Sequence, residues 1–308
     1  MPSSVEQLLA PALAAGRDGS QPEPALVSAI ARELRDDPAT LQGCSPASLY
    51  TLLTAALCGR RPDAALQVLH ETGVLAVVLP ELAATVDFSQ EAGRRHKDVW
   101  EHTKTVVWQS VPKPAVRWAA ALHDIGKVPT RRFLPGGGVT FHGHAELGLR
   151  MFHRGPARRV GFPPAERERI GELIRFHLRP GQYEHSWTDS AVRRFAREVG
   201  PHLDDLLNLS RADITSKRPG KRKRCLYQVS ALAKRIRELA AEDHQPKPLP
   251  AGLGNELMRA LELPPGREIG VLRQRLHALV EAGTIEGGRE PSYYVELVVA
   301  GLEPPADP

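Results

Sequence analysis

Along most of this chain the apolar positions recur every three or four residues. The segments "ALVSAIAREL", "SPASLYTLLTAALCG" and "RPDAALQVLHETGVLAVVLPEL" each place their aliphatic side chains on one face of a helix. Ser45 followed by Pro46 reads as an N-cap with proline at the first helical position, and Pro62 opens the next helix in the same way. No βαβ alternation, internal repeat or glycine-rich phosphate loop interrupts this pattern. The expectation is an all-α protein with a helical core and smaller flanking helical regions.

Four stretches follow. Residues 1–25, rich in Pro, Ala, Gly and Ser, are expected to form a flexible N-terminal arm, and residues 26–92 a helical body segment. Residues 93–240 form a helical block holding nine of the twelve histidines. After the proline-rich "DHQPKPLPAG", residues 249–308 form a C-terminal helical segment with two helices, "GNELMRALEL" and "REIGVLRQRLHALVEAG".

The histidine-rich block breaks its own pattern in an informative way. In "AVRWAAALHDIGK" the stripe Val116, Ala120 runs into His123, with Asp124 beside it on the same inward wedge. Ile170, Leu173 and Ile174 continue into His177; Leu206 and Leu209 continue into Asp213. His144 shares a face with Leu147, Gly148 and Met151, and His102 lies between Val99 and Val106. One buried histidine is ordinary. Five such segments within about 110 residues are not, because their inward faces would bring four His and two Asp into one core. Burying imidazoles and carboxylates costs several kcal/mol each unless something compensates. A divalent metal compensates the carboxylates and accepts neutral imidazole nitrogens.

Composition narrows the setting. Aromatics make up only 5% of the chain against 42% hydrophobic residues overall, which favours helices packed by aliphatic side chains. Cys44, Cys58 and Cys225 lie far apart, without the spacing of a zinc ribbon or disulfide framework, which points to a reducing, cytoplasmic setting. No apolar run approaches the roughly 18 residues of a membrane span, and no basic leader precedes the first apolar stretch. The net charge of +5 is mild, but it is concentrated: six of the nine residues in "SKRPGKRKR", 216–224, are basic. Such a run is either a solvated loop or a phosphate-facing segment.

The ordered set His102, His123-Asp124, Asp213 resembles the signature of the HD superfamily of metal-dependent phosphohydrolases, with "LHDIGK" and "RAD" around its centre and end. "FHGHAELG" and "IRFHLRP" supply the intermediate histidines of two-metal members. "HKDVWEHT", "TFHGHAELG", "AVRRFAREVG" and "LSRADITSK" are further similar to the C-terminal body and HD domain of bacterial tRNA CCA-adding nucleotidyltransferases and poly(A) polymerases. This similarity extends over about residues 45–290. The nucleotidyltransferase head of that family, with its Gly-Ser motif and Asp-x-Asp pair, has no counterpart here. Asp36-Asp37 and Asp204-Asp205 are adjacent pairs in helical contexts, and the stretch before the similarity is expected to be too short for such a head.

The resemblance implies His102, His123, Asp124 and Asp213 as ligands of one divalent ion, with Asp124 bridging to a second held by His144 and His177. Mn, Co, Ni, Fe and Mg all suit such donors. Asp124 and Lys127 are the expected catalytic residues. Lys127, His142, Lys217 and Arg218 are the expected substrate contacts, although Lys127 also suits helix-end charge compensation and His142 an outer-shell or exposed role. The implied activity is metal-dependent phosphohydrolysis of nucleotides or RNA ends, 2′,3′-cyclic phosphodiesterase or phosphatase in particular. The alternatives are a noncatalytic RNA- or tRNA-binding body and one subunit of a split CCA-adding system.

Overall fold

The computed structural model describes residues 4–42, 44–88, 98–135, 138–244 and 248–301. His96 and Lys97, which open the "HKDVWEHT" motif, and residues 245–247 of the proline-rich linker lie outside them. The described residues are overwhelmingly helical, and the strands among them form one two-residue hairpin, β1 (Arg132–Phe133) with β2 (Val139–Thr140). The chain divides into two compact units, residues 1–236 and 237–308.

In the first unit the helices of eight or more residues are α1 (Val5–Asp18), α2 (Pro24–Asp36), α3 (Pro46–Leu57), α4 (Pro62–Glu71), α5 (Val99–Gln109), α6 (Pro114–Leu122), α7 (His144–Arg154), α8 (Pro164–Phe176), α9 (Asp189–Val199) and α10 (Leu203–Ala212). The long α11 (Pro219–His244) begins there. Proline opens α3 and α4 as the sequence predicts, although Ser45 makes no side-chain capping bond. The long apolar run after Pro62 does not stay in one helix. Gly73 adopts a left-handed conformation (φ 77°) and Pro80 starts a new turn, so Val74–Val78 and Pro80–Ala83 are separate short helices.

Residues 5–18 correct the expectation of a loose arm. They form α1, started by a reciprocal capping box between Ser4 and Gln7, and Leu8, Leu9, Ala12 and Ala15 are buried. α1 packs on α3 and α4. A Cβ at Gly59 would stand 2.1 Å from the Gly16 carbonyl oxygen, and one at Gly16 2.5 Å from that of Ala56. What reads in the sequence as a run of disorder-prone small residues is a close backbone contact.

α6 is the hub of the unit. It packs against α8, α5, α10 and α3, and every residue from Ala115 to Leu122 is buried. Four alanines at positions 115, 119, 120 and 121 let those helices approach closely, while Trp118 fills the remaining volume. The indole N–H of Trp118 donates to Thr54 Oγ1 at 2.8 Å, so its polar atom is satisfied.

In the second unit α12 (Leu253–Ala260), α13 (Arg267–Glu281) and α14 (Pro291–Val299) surround Leu253, Leu257, Leu276, Leu279 and Tyr294. The third of these helices is not expected from the sequence. Its Tyr294 is fully buried, with its hydroxyl between the carbonyls of Pro248 and Glu286 and accepting from the Arg289 N–H.

Candidate metal centre

Helix ends deliver the polar side chains. His123 caps the C-terminus of α6, His177 that of α8 and Asp213 that of α10. His144 is the first residue of α7, and His102 sits inside α5. Three C-terminal helix ends bring their partial negative charge toward one place, a field that favours cations. The turn carrying Asp124 rests directly on the start of α7: a Cβ at Gly126 would fall 2.1 Å from the His144 carbonyl oxygen and 2.8 Å from Gly148 N. Gly126→Ala is therefore expected to push α7 outward, costing about 1–3 kcal/mol and loosening His144. Thermal melts of the metal-free protein check this, and an unchanged midpoint would show that the close approach is dispensable.

The donor atoms form two groups. His102, His123 and Asp213 offer ligand atoms within 4.8 Å of one another, and so do Asp124, His144 and His177. Asp124 lies between the groups. Its Oδ2 is 3.5 Å from His102 Nε2 and 3.2 Å from His123 Nε2, while Oδ1 is 3.4 Å from His144 Nε2 and 3.9 Å from His177 Nε2. Asp213 Oδ1 is 2.9 Å from His102 Nε2 and 3.5 Å from His123 Nε2.

The outer nitrogens are equally ordered. His123 Nδ1 donates to the Ala120 carbonyl at 2.8 Å, His144 Nδ1 to that of Phe141 at 2.9 Å, and His177 Nδ1 to that of Ile174 at 2.7 Å. A carbonyl only accepts, so each of these rings carries its hydrogen on Nδ1 and, when neutral, turns an Nε2 lone pair inward. Two consequences mark a cation site. His144 Nε2 and His177 Nε2 face each other at 3.2 Å, where two lone pairs repel unless a proton or a metal lies between them. His123 Nε2 is buried without an aligned hydrogen bond. The six side chains are thus positioned to chelate divalent metal.

Charge coupling follows the same geometry. Burial opposes a proton on His123, but the carboxylates of Asp124 and Asp213 override it and raise its pKa to about 10. Burial alone would push Asp124 and Asp213 up; for Asp124 the charges of His123 and Lys127 bring it well below the ordinary carboxylate range. The hydrogen bond from His102 and the charge of His123 do the same for Asp213. His177 moves the other way, to about 4, through burial and the neighbouring His123 charge. At pH 7, then, His177 is a ready neutral ligand, whereas His123 must give up a proton to become one. Metal uptake by the first group is expected to release about one proton per ion, its affinity rising roughly tenfold per pH unit up to about pH 10. Calorimetry in buffers of different ionisation enthalpy measures that proton; a buffer-independent enthalpy would contradict it.

Of the expected substrate contacts, Lys127 bonds Asp124 Oδ2 at 2.7 Å and is partly buried. His142 is exposed and belongs to neither donor group. Lys217 and Arg218 are exposed, and the basic run is not a loop throughout, since α11 starts at Pro219. Arg222 Nη2 donates to Gln109 Oε1 at 3.3 Å, and Gln109 to the Ala212 carbonyl at 3.0 Å, which ties this run to α5 and α10. Sequence reasoning missed the carbonyl anchors, Gly126, and Thr215, whose hydroxyl lies 2.9 Å from His102 Nδ1.

Residues 89–217 match the HD domain family. The chain is 35% identical over 237 residues to the CC-adding tRNA nucleotidyltransferase of Thermus thermophilus, covering 75% of this chain and 51% of that protein. It is 33% identical over 242 residues to the A-adding tRNA nucleotidyltransferase of Deinococcus radiodurans, covering 75% and 54%. A multifunctional CCA protein of Pseudomonas paraeruginosa is 36% identical over 95 residues, 30% of this chain and 23% of that one. The chain spans about half the length of the first two relatives.

Proposed function

Since this chain carries an HD domain in a body homologous over most of its length to tRNA nucleotidyltransferases, we propose that it is a metal-dependent phosphohydrolase acting on nucleotides or RNA ends. The observation that carries the reading is the Asp124 carboxylate, set between two donor groups with one oxygen toward each.

In this reading His102, His123 and Asp213 would hold one divalent ion and His144 and His177 a second, with the Asp124 carboxylate within reach of both. Such ions, when bound, polarise a phosphoryl oxygen and lower the pKa of bound water. The chain's own groups do the rest. The buried histidines fix the spacing of the centre through their carbonyl anchors. Lys127 beside Asp124 brings a cation to the rim, where it offsets charge on a phosphate. The open side lies toward His102 and Asp213, whose side chains are 16% and 26% exposed while those of His123 and His177 are 1%. Substrate enters there, and the loop after Asp213 leads directly to Lys217 and Arg218.

A 2′,3′-cyclic phosphate is the proposed substrate group, and the names of the relatives favour tRNA as the RNA that carries it. Among the described residues no helix is long and apolar enough to cross a membrane, and all three cysteines are free, which supports placing the protein in the cytoplasm. The test is a panel of 2′,3′-cyclic nucleotides, linear nucleotides and RNA oligonucleotides with cyclic ends, assayed with Mn²⁺ or Ni²⁺. Turnover that disappears on chelation is expected. Binding of RNA without turnover of any substrate would support the noncatalytic alternative instead.

The basic run distinguishes small from polymeric substrates. Residues 217–224 are all exposed, and their charges crowd the start of α11, the helix end that disfavours cations. Replacing Lys221, Lys223 and Arg224 by Ser should leave small cyclic nucleotides turning over normally while RNA affinity falls. The slope of log K against log salt should flatten by about 0.7 for each phosphate that the removed cations had neutralised. Equal slopes would limit the substrate to small nucleotides.

A further inference from the structure

His102 differs from the other three histidines in what holds its outer nitrogen. Carbonyl oxygens, which only accept, hold His123, His144 and His177. A hydroxyl, which both donates and accepts, holds His102. That hydroxyl belongs to Thr215, two residues beyond Asp213 in the loop between α10 and α11. One short segment thus grips the ring at both ends: Asp213 Oδ1 at 2.9 Å from Nε2 and Thr215 Oγ1 at 2.9 Å from Nδ1.

We propose that Thr215 is a positioning residue that lets His102 keep its outer hydrogen bond in both the metal-free and the metal-bound tautomer, so that the His102–His123–Asp213 group is the one that exchanges its ion. The inference rests on the metal-centre reading above. In the neutral metal-free ring, the Nε2 hydrogen is donated to the Asp213 carboxylate and Nδ1 accepts the Thr215 O–H. For Nε2 to become a ligand, its hydrogen must leave and one must arrive at Nδ1. The Nε2 proton passes to solvent, which returns one to Nδ1, so no net proton is gained or lost at this ring while the hydroxyl rotates from donor to acceptor. A carbonyl in place of Thr215 would oppose the first of these forms; a methyl group would support neither. The accessibility of the two groups matches, because His102 and Asp213 are partly exposed whereas Asp124, His144 and His177 are buried.

Cobalt(II) titration of the full chain, followed by its d–d absorption, tests the assignment. The first group is read in a His144→Gln background and the second in a His102→Gln background. Thr215→Val keeps the side-chain shape and removes the hydroxyl. It should weaken cobalt binding to the first group by about 10- to 100-fold, leave the second unchanged, and release the first ion faster to a chelator. Thr215→Ser should restore affinity to near that of the native residue. Unchanged affinity in Thr215→Val, or equal losses in both groups, would overturn the role of Thr215 while leaving the metal centre intact. A native chain that binds no cobalt at all would overturn both.

Discussion

Asp124→Ala is expected to cause the largest loss of any single change, abolishing both groups' hold on metal and lowering hydrolysis by on the order of 10³-fold or more. The reason is positional. Its Oδ2 faces His102 and His123 while its Oδ1 faces His144 and His177. The variant also removes the carboxylate that chiefly holds the His123 proton, so the His123 titration should fall from about 10. Imidazole NMR in the metal-free variant reads that shift separately from activity. Far-ultraviolet circular dichroism should barely change, because α6 is anchored by Val116, Trp118 and Leu122 rather than by its capping residues. A variant with native metal content and native rate would end the assignment.

The second large effect concerns His144 and His177. Their Nε2 atoms face each other at 3.2 Å, so a cation between them is held by both or by neither. Replacing either by Gln should reduce metal content from two ions per chain toward one and slow hydrolysis by roughly 10²-fold or more. The double replacement should cost little beyond either single one, because both remove the same ion. Metal analysis and rates for the three variants check this. Additive losses, or an unchanged metal count, would mean that the two imidazoles serve separate purposes.

What the sequence reveals about this centre, it reveals through interruption. His123, His177 and Asp213 each stand where an aliphatic stripe should continue, and each proves to be the residue that caps its helix. The helical period carries side-chain direction, so the meeting of these faces is legible in the chain alone. The anchors are not. Ala120, Phe141 and Ile174 hold the rings through backbone carbonyls, which any residue supplies, so their identity carries no signal. Thr215 is likewise one hydroxyl among many until the loop after α10 places it on His102. His142, two residues before His144, is exposed and belongs to neither donor group, the exposed role its sequence position also allowed.

The fold is legible to a similar depth. Helical content follows from apolar spacing, and the proline starts of α3 and α4 are readable directly. α1 escapes such a reading because Gly16 and its small neighbours resemble a linker, whereas their lack of side chain is what admits the backbone at Ala56 and Gly59. α14 escapes it because Tyr293 and Tyr294 with the valines after them lack a clear polar face, and a buried tyrosine is tolerable only through oxygens distant in sequence.

The most direct test is the initial rate of 2′,3′-cyclic nucleotide hydrolysis by chelator-stripped protein as a divalent metal is titrated back. A rate indistinguishable from the uncatalysed reaction at zero metal, rising saturably as about two ions per chain are bound, is the predicted result. A rate that is the same with and without metal would contradict it.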